Sequence, residues 1–100
     1  GESMIKHIVM WRRQTEPSRE ANAARAKALL ESMVGKIPGL LKLEVGTNFL
    51  EDASASDLVL YSEFADRAAL AVYGSHPIHE AIKPQIRDLV AERRTADYEI

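Results

Sequence analysis

The stretch Ile5-Lys6-His7-Ile8-Val9-Met10-Trp11-Arg12-Arg13 decides the fold. Its side chains alternate, with Ile5, His7, Val9 and Trp11 on one face and Lys6, Ile8, Met10 and Arg12 on the other, which is the period of a β-strand. Both faces are substantially apolar, so the strand belongs in the middle of a sheet with a cover on each side. A second segment shares this property. Asp57-Leu58-Val59-Leu60-Tyr61-Ser62-Glu63-Phe64 has an unbroken apolar centre and reads as another strand covered on both faces.

Working outward, Leu41, Leu43, Val45, Thr47 and Phe49 alternate with Lys42, Glu44, Gly46 and Asn48, the pattern of a half-buried strand. The polar stretch from Glu51 to Ser56 joins it to the Asp57 strand as an antiparallel hairpin. Thr95 to Ile100 alternates as a short last strand. Between the first two strands, Thr15 to Val34 carries Pro17 near its start and Ala23, Ala26, Leu30, Met33, Val34 and Ile37 at helical spacing, and Gly35 supplies a left-handed stop. Asp66 is placed to cap a brief helix bearing Ala69, Leu70, Val72 and Tyr73, which Gly74 is expected to end. Pro77 opens another helix with a stripe of Ile78, Ile82, Ile86, Leu89 and Val90, which Pro84 is expected to kink or interrupt.

Strand, helix, strand, strand, helix, strand is the split βαβ order of an α+β, ferredoxin-like βαββαβ fold: a four-stranded antiparallel sheet with the helices on one face. The first and third strands are then central, which is where the doubly apolar segments fall. Helices cover one sheet face only. The other, bearing Ile8, Met10 and part of Leu58 to Tyr61, exceeds the scattered apolar exposure a monomer tolerates. Two-fold pairing of identical sheets, face to face, is the simplest closed cover and predicts a homodimer, a dimeric α+β barrel.

One hundred residues fit a single domain over 4–100, and Gly1-Glu2-Ser3 before Met4 reads as an expression scar. A net charge of −2 from interspersed acids and bases gives no footprint for nucleic acid or an anionic membrane. No apolar run approaches the roughly 18 residues of a membrane span and no charged-then-apolar leader opens the chain, so a cytoplasmic address is the default. The absence of cysteine excludes disulfides, thiolate catalysis and cysteine-based zinc sites.

Chemistry must come from elsewhere, and the three histidines His7, His76 and His79 are the natural candidates, since imidazole titrates near neutral pH. His7 lies on the first strand, and His76 and His79 lie at the start of the last helix. Two imidazoles facing one sheet–helix pocket can act as base and acid in enolisation, cyclisation or isomerisation. Each can instead satisfy a structural hydrogen bond, and His76 beside Pro77 fits a helix cap. Tyr73 can point a hydroxyl into the same cavity, or fill core. Trp11, Met33 and Phe64, with His76, are the candidate walls, although residues such as Trp11, Met33 and Phe64 at these spacings are more often core than pocket. The pairs Arg12-Arg13 and Arg93-Arg94 are able to bind a carboxylate or phosphate, or to be solvated at strand ends. Zinc is a third use of the histidines, with Glu80 or Asp57 adding a carboxylate, but the spacing matches no metal signature, so no metal ligand and no cofactor is assigned.

Four pieces of sequence resemble the stress-responsive A/B barrel (Dabb) family: Met4 to Trp11, Gly35-Lys36-Ile37-Pro38-Gly39-Leu40, Tyr73-Gly74-Ser75-His76-Pro77-Ile78-His79, and Asp97-Tyr98-Glu99. The resemblance runs from about Met4 to Ile100 and implies the ferredoxin-like fold and face-to-face dimer by a separate route. The family includes plant stress-responsive proteins, bacterial proteins without assigned activity, and a plant polyketide cyclase. In that cyclase the working histidines match His7 and His79 and a tyrosine matches Tyr73, whereas another pocket tyrosine corresponds to Leu30 here. The resemblance therefore implies a small-molecule pocket with His7 and His79 as acid and base and Tyr73 as orienting hydroxyl. A non-catalytic stress-protective oligomer and a cofactor-free monooxygenase, the latter known among related dimeric barrels, are the competing functions.

Overall fold

The computed structural model describes residues 4–13 and 19–100. Seven elements follow in order: β1 (Ile5–Arg13), α1 (Arg19–Glu31), β2 (Leu40–Thr47), β3 (Leu58–Phe64), α2 (Arg67–Ser75), α3 (Pro77–Leu89) and β4 (Val90–Glu99). The strands form one antiparallel sheet in the order β2-β3-β1-β4, so β1 and β3 are central as expected. Alternation fixes the two faces. Ile5, His7, Val9 and Trp11 of β1, with Leu58, Leu60, Ser62 and Phe64 of β3, are buried on the helix side. Ile8, Val59 and Tyr61 on the opposite side are half-buried, and Met10 is exposed. Ala23, Ala26, Leu30 and Met33 form the buried stripe of α1 and the following turn and Ile37 is buried beyond it, whereas Val34, expected in the same stripe, is exposed because the chain has left the α-helix at Glu31. Among the described residues no helix is long and apolar enough to cross a membrane.

Several boundaries differ from the sequence reading. The expected start of the first helix at Thr15, with Pro17, lies outside the described residues. Its α-helical part stops at Glu31, and residues 32–36 continue as turns closed by i→i−3 bonds such as Met33 N–H to Leu30 O at 3.2 Å, before Gly35 at φ 76° reverses the chain. In β2, Leu41 and Phe49 do not join the buried row. Leu41 is the extra residue of a bulge between Leu40 and Lys42, which gives the core position opposite Phe64 to Leu40. Phe49 is 97% exposed because pairing with β3 ends at Thr47 opposite Leu58.

Helix α2 runs past Gly74 to Ser75, since the true stop is Pro77, which forces His76 into extended backbone (φ −64°, ψ 136°). Asp66 caps α2 as expected, its Oδ1 accepting from Ala69 N–H at 2.8 Å. Pro84 does not interrupt α3. It lies on the exposed side, so its ring faces water and not the packed stripe of Ile82 and Ile86. Val90, expected in the helix stripe, begins β4, and β4 starts there rather than at Thr95 because Arg12 and Arg13 of the long β1 need partners in Ala91 and Val90. Gly39 makes the turn into β2 at φ 81°, and a Cβ there would lie 2.4 Å from the Ala69 Cβ, so only glycine fits where this turn meets α2.

Candidate active site

Helices α2 and α3 do not close over the end of the sheet formed by β1 and β4, and a cavity of about 690 Å³ opens there. Val9, Trp11, Leu30, Leu60, Ile82 and Ile86 form its apolar walls, and His7, Tyr73 and His79 supply polar groups to it. Lys83, Arg87 and Arg93 reach it from its more exposed side. An apolar cleft of several hundred Å³ with a few convergent polar groups is the ordinary form of a small-molecule site.

His7 is 6% exposed on the helix-facing row of β1. A buried imidazole needs a partner, and β4 provides one: Asp97 lies directly across the ladder and its Oδ1 bonds His7 Nδ1. A carboxylate accepts, so Nδ1 carries the proton and Nε2 is left as the free nitrogen. Phe64 and Tyr73 lie edge-on to the imidazole, with ring centroids 6.2 and 5.8 Å away.

His79 is oriented by the break between the two helices. In an unbroken helix the Tyr73 carbonyl would accept from the N–H of residue 77, but that residue is proline. The carbonyl instead accepts from His76 N–H at 3.2 Å and from His79 Nδ1 at 3.0 Å. This fixes the proton of His79 on Nδ1 and frees Nε2. The ring stacks on Tyr73 with centroids 4.1 Å apart. Burial pushes the His79 pKa below its ordinary value, with Lys83 and His7 adding to the shift, although its bond to the Tyr73 carbonyl opposes it. Burial pushes the Tyr73 hydroxyl up to about 12, so it stays a neutral donor. Tyr73 is 3% exposed, and among the described residues its hydroxyl has no hydrogen-bond partner, a vacancy that a ligand oxygen can fill.

The structure thus brings together His7, His79 and Tyr73, and Trp11 lines the same cavity. Three expected wall residues do not. Met33 and Phe64 are fully buried in the core behind the wall, where their size is needed to fill the space between sheet and helices. His76 is the joint between α2 and α3, its Nδ1 accepting from Ile78 N–H at 3.1 Å. Among the described residues no three His, Cys, Asp or Glu side chains cluster as a metal would need, and neither Glu80 nor Asp57 lines the cavity. Asp97 is the functional candidate that spacing missed. Pairing the alternating last strand against β1 would have found it.

The family model described as "Stress responsive A/B Barrel Domain" (Dabb) matches residues 5–100. No match among curated proteins is found. Among solved structures, a dimeric ferredoxin-like protein of unknown function from Bacteroides fragilis is 28% identical, covers 97% of this chain and 96% of its own, and superposes with a TM-score of 0.82. A Dabb family protein with a ferredoxin-like fold from Mesorhizobium loti is 25% identical over 97% of this chain and 96% of its own, with a TM-score of 0.72. A hydroxynitrile lyase from Passiflora edulis has a TM-score of 0.84 at 16% identity, covering 97% of this chain and 93% of its own, a likeness of fold alone.

Proposed function

We propose, from the premise that this chain belongs to the stress-responsive A/B barrel domain family, that it is a homodimeric protein that binds a small hydrophobic or aromatic molecule and moves a proton on it. The observation that carries the reading is the convergence of two imidazoles and an unpartnered buried phenol on one open cavity of about 690 Å³. His7 takes a proton through Nε2, and the imidazolium that forms is stabilised by the Asp97 carboxylate on Nδ1. The Tyr73 hydroxyl donates to the oxygen on which charge develops. His79, held neutral by burial, is the counterpart that exchanges a proton through Nε2. This set suits enolisation followed by ring closure or isomerisation, and it draws on no cofactor. The dimer forms through the outer sheet face bearing Ile8, Met10, Val59 and Tyr61, a reading supported by the dimeric description of the Bacteroides fragilis relative. The cytoplasmic address expected from the sequence belongs to the same reading.

A thermal-shift screen of aromatic and polyketide-like metabolites on the wild type and on His79→Ala tests the site. A binder that stabilises the wild type and loses most of its shift on the variant supports it, and one that stabilises both equally removes His79 from the site. Exchange of the central protons of acetylacetone into D2O, followed by NMR, then separates enzyme from binder. Acceleration by the wild type and none by His7→Ala is the expected result.

A further inference from the structure

We infer that the cavity takes a ligand with one anionic group, an apolar or aromatic carboxylate, held at its mouth by Arg93 of β4 and Arg87 of α3. This deepens the proposed function and rests on it. The first observation is a β-bulge. Met10 pairs with Arg94 but Arg12 pairs with Ala91, so Glu92 and Arg93 together oppose Trp11. Counting back from Thr95, which faces the helices opposite Val9, Arg93 falls on the helix-facing side. Counting forward from buried Val90, so does Glu92. Both are cavity-lining residues, and Glu92 accommodates the extra residue at φ 50°. A left-handed, non-glycine residue beside a cavity is a strained arrangement, and bulges of this kind re-aim side chains at sites.

The second observation is charge. The chain is net −2, yet the cavity is lined by Lys83, Arg87 and Arg93 against the single carboxylate of Glu92. Glu92 is drawn to Arg12, whose Nε is 3.5 Å from its Oε2, and Lys83 is engaged by Glu80 and the Gly74 carbonyl. Among the described residues Arg87 and Arg93 have no ion-pair partner. Arg93 also lies near enough to Tyr73 to favour its phenolate, although burial outweighs it, so a carboxylate at Arg93 stands at the polar end of the pocket. Guanidinium suits such a group because its fork binds a carboxylate bidentately.

The test is calorimetric titration at pH 7.5 with 2-naphthoate and its neutral counterpart 2-naphthamide, on the wild type, Arg93→Gln and Arg87→Gln. The acid is expected to bind the wild type at least about tenfold more tightly than the amide, and less tightly as salt rises. Arg93→Gln is expected to lose that preference while binding the amide unchanged, with Arg93→Lys intermediate. Equal affinity for acid and amide, or equal losses for both on Arg93→Gln, overturns the anion clamp and leaves the pocket standing. Binding of neither probe overturns both the clamp and the pocket it rests on.

Discussion

Asp97 gives His7 its direction, and this partnership makes a specific prediction at the scale of the residue. With a carboxylate on Nδ1, the neutral His7 ring holds its proton there, and long-range proton–nitrogen NMR is expected to report one tautomer. Asp97→Asn offers an amide that can accept or donate, so a tautomer mixture is expected, together with about a tenfold or greater loss in any His7-dependent proton transfer. A single unchanged tautomer in the variant would dismiss Asp97 as an orienting group. His79 supplies a second prediction. Its folded pKa lies below the ordinary 6.5, so below that pH the unfolded chain binds the proton more readily than the folded one. The stability associated with neutral His79 is therefore complete above about pH 6.5 and is lost as acidification proceeds toward the lowered folded pKa. Denaturation midpoints of the wild type are expected to fall more steeply between pH 7 and 5 than those of His79→Gln. His7, His79 and Tyr73 stood out in the sequence because imidazoles are scarce and one sat in an apolar row. Asp97 did not, because its role depends on a pairing between residues 90 apart.

At the scale of the element, stops and bulges were the least legible features. The alternation of β1 and β3 and the alanine stripe of α1 are periodic over many residues and translate directly into burial. The end of α2 was expected at Gly74, but Pro77 three residues on decides it, because it restricts the backbone of His76 before it. The bulges in β2 and β4 leave no periodic trace, since one extra residue only shifts the phase. Gly39 is a prediction at this scale. Alanine there must adopt φ 81° and press its Cβ into that of Ala69, so Gly39→Ala is expected to destabilise by about 2–4 kcal/mol, read as a lower urea midpoint with an unchanged slope. Gly35, also at positive φ but with nothing within 4 Å of a Cβ, is expected to tolerate alanine at a cost of about 1–2 kcal/mol.

The molecule as a whole is a sheet with two unlike faces. Its helix side is covered by the helices and holds the cavity, while Ile8, Val59, Tyr61 and Met10 leave an apolar band between Lys6, Lys42 and Glu63 on the other. The wild type is expected to sediment at twice the chain mass, and Ile8→Glu with Met10→Glu to sediment as a folded monomer with unchanged far-ultraviolet circular dichroism. A wild-type monomer at micromolar concentration would remove the face-to-face dimer. This much was legible from β1 alone, because a period of two assigns every second side chain to the same side. A pocket between sheet and helices was expected too, but its size and its Glu92–Arg93 edge were not legible, since they depend on where α2 breaks and β4 bulges.

That division within β1 bears on how such a protein can change over evolutionary time. Odd-numbered positions, His7 to Trp11, meet the cavity, and even-numbered ones, Lys6 to Met10, meet the opposite surface. Substitutions in one set leave the other set's neighbours untouched, so the cavity and the outer face can drift separately along the same nine residues. Loss of one residue from the middle of the strand exchanges the two sets at a stroke. Point substitution here can therefore reshape the cavity while sparing the outer face, but deletion cannot.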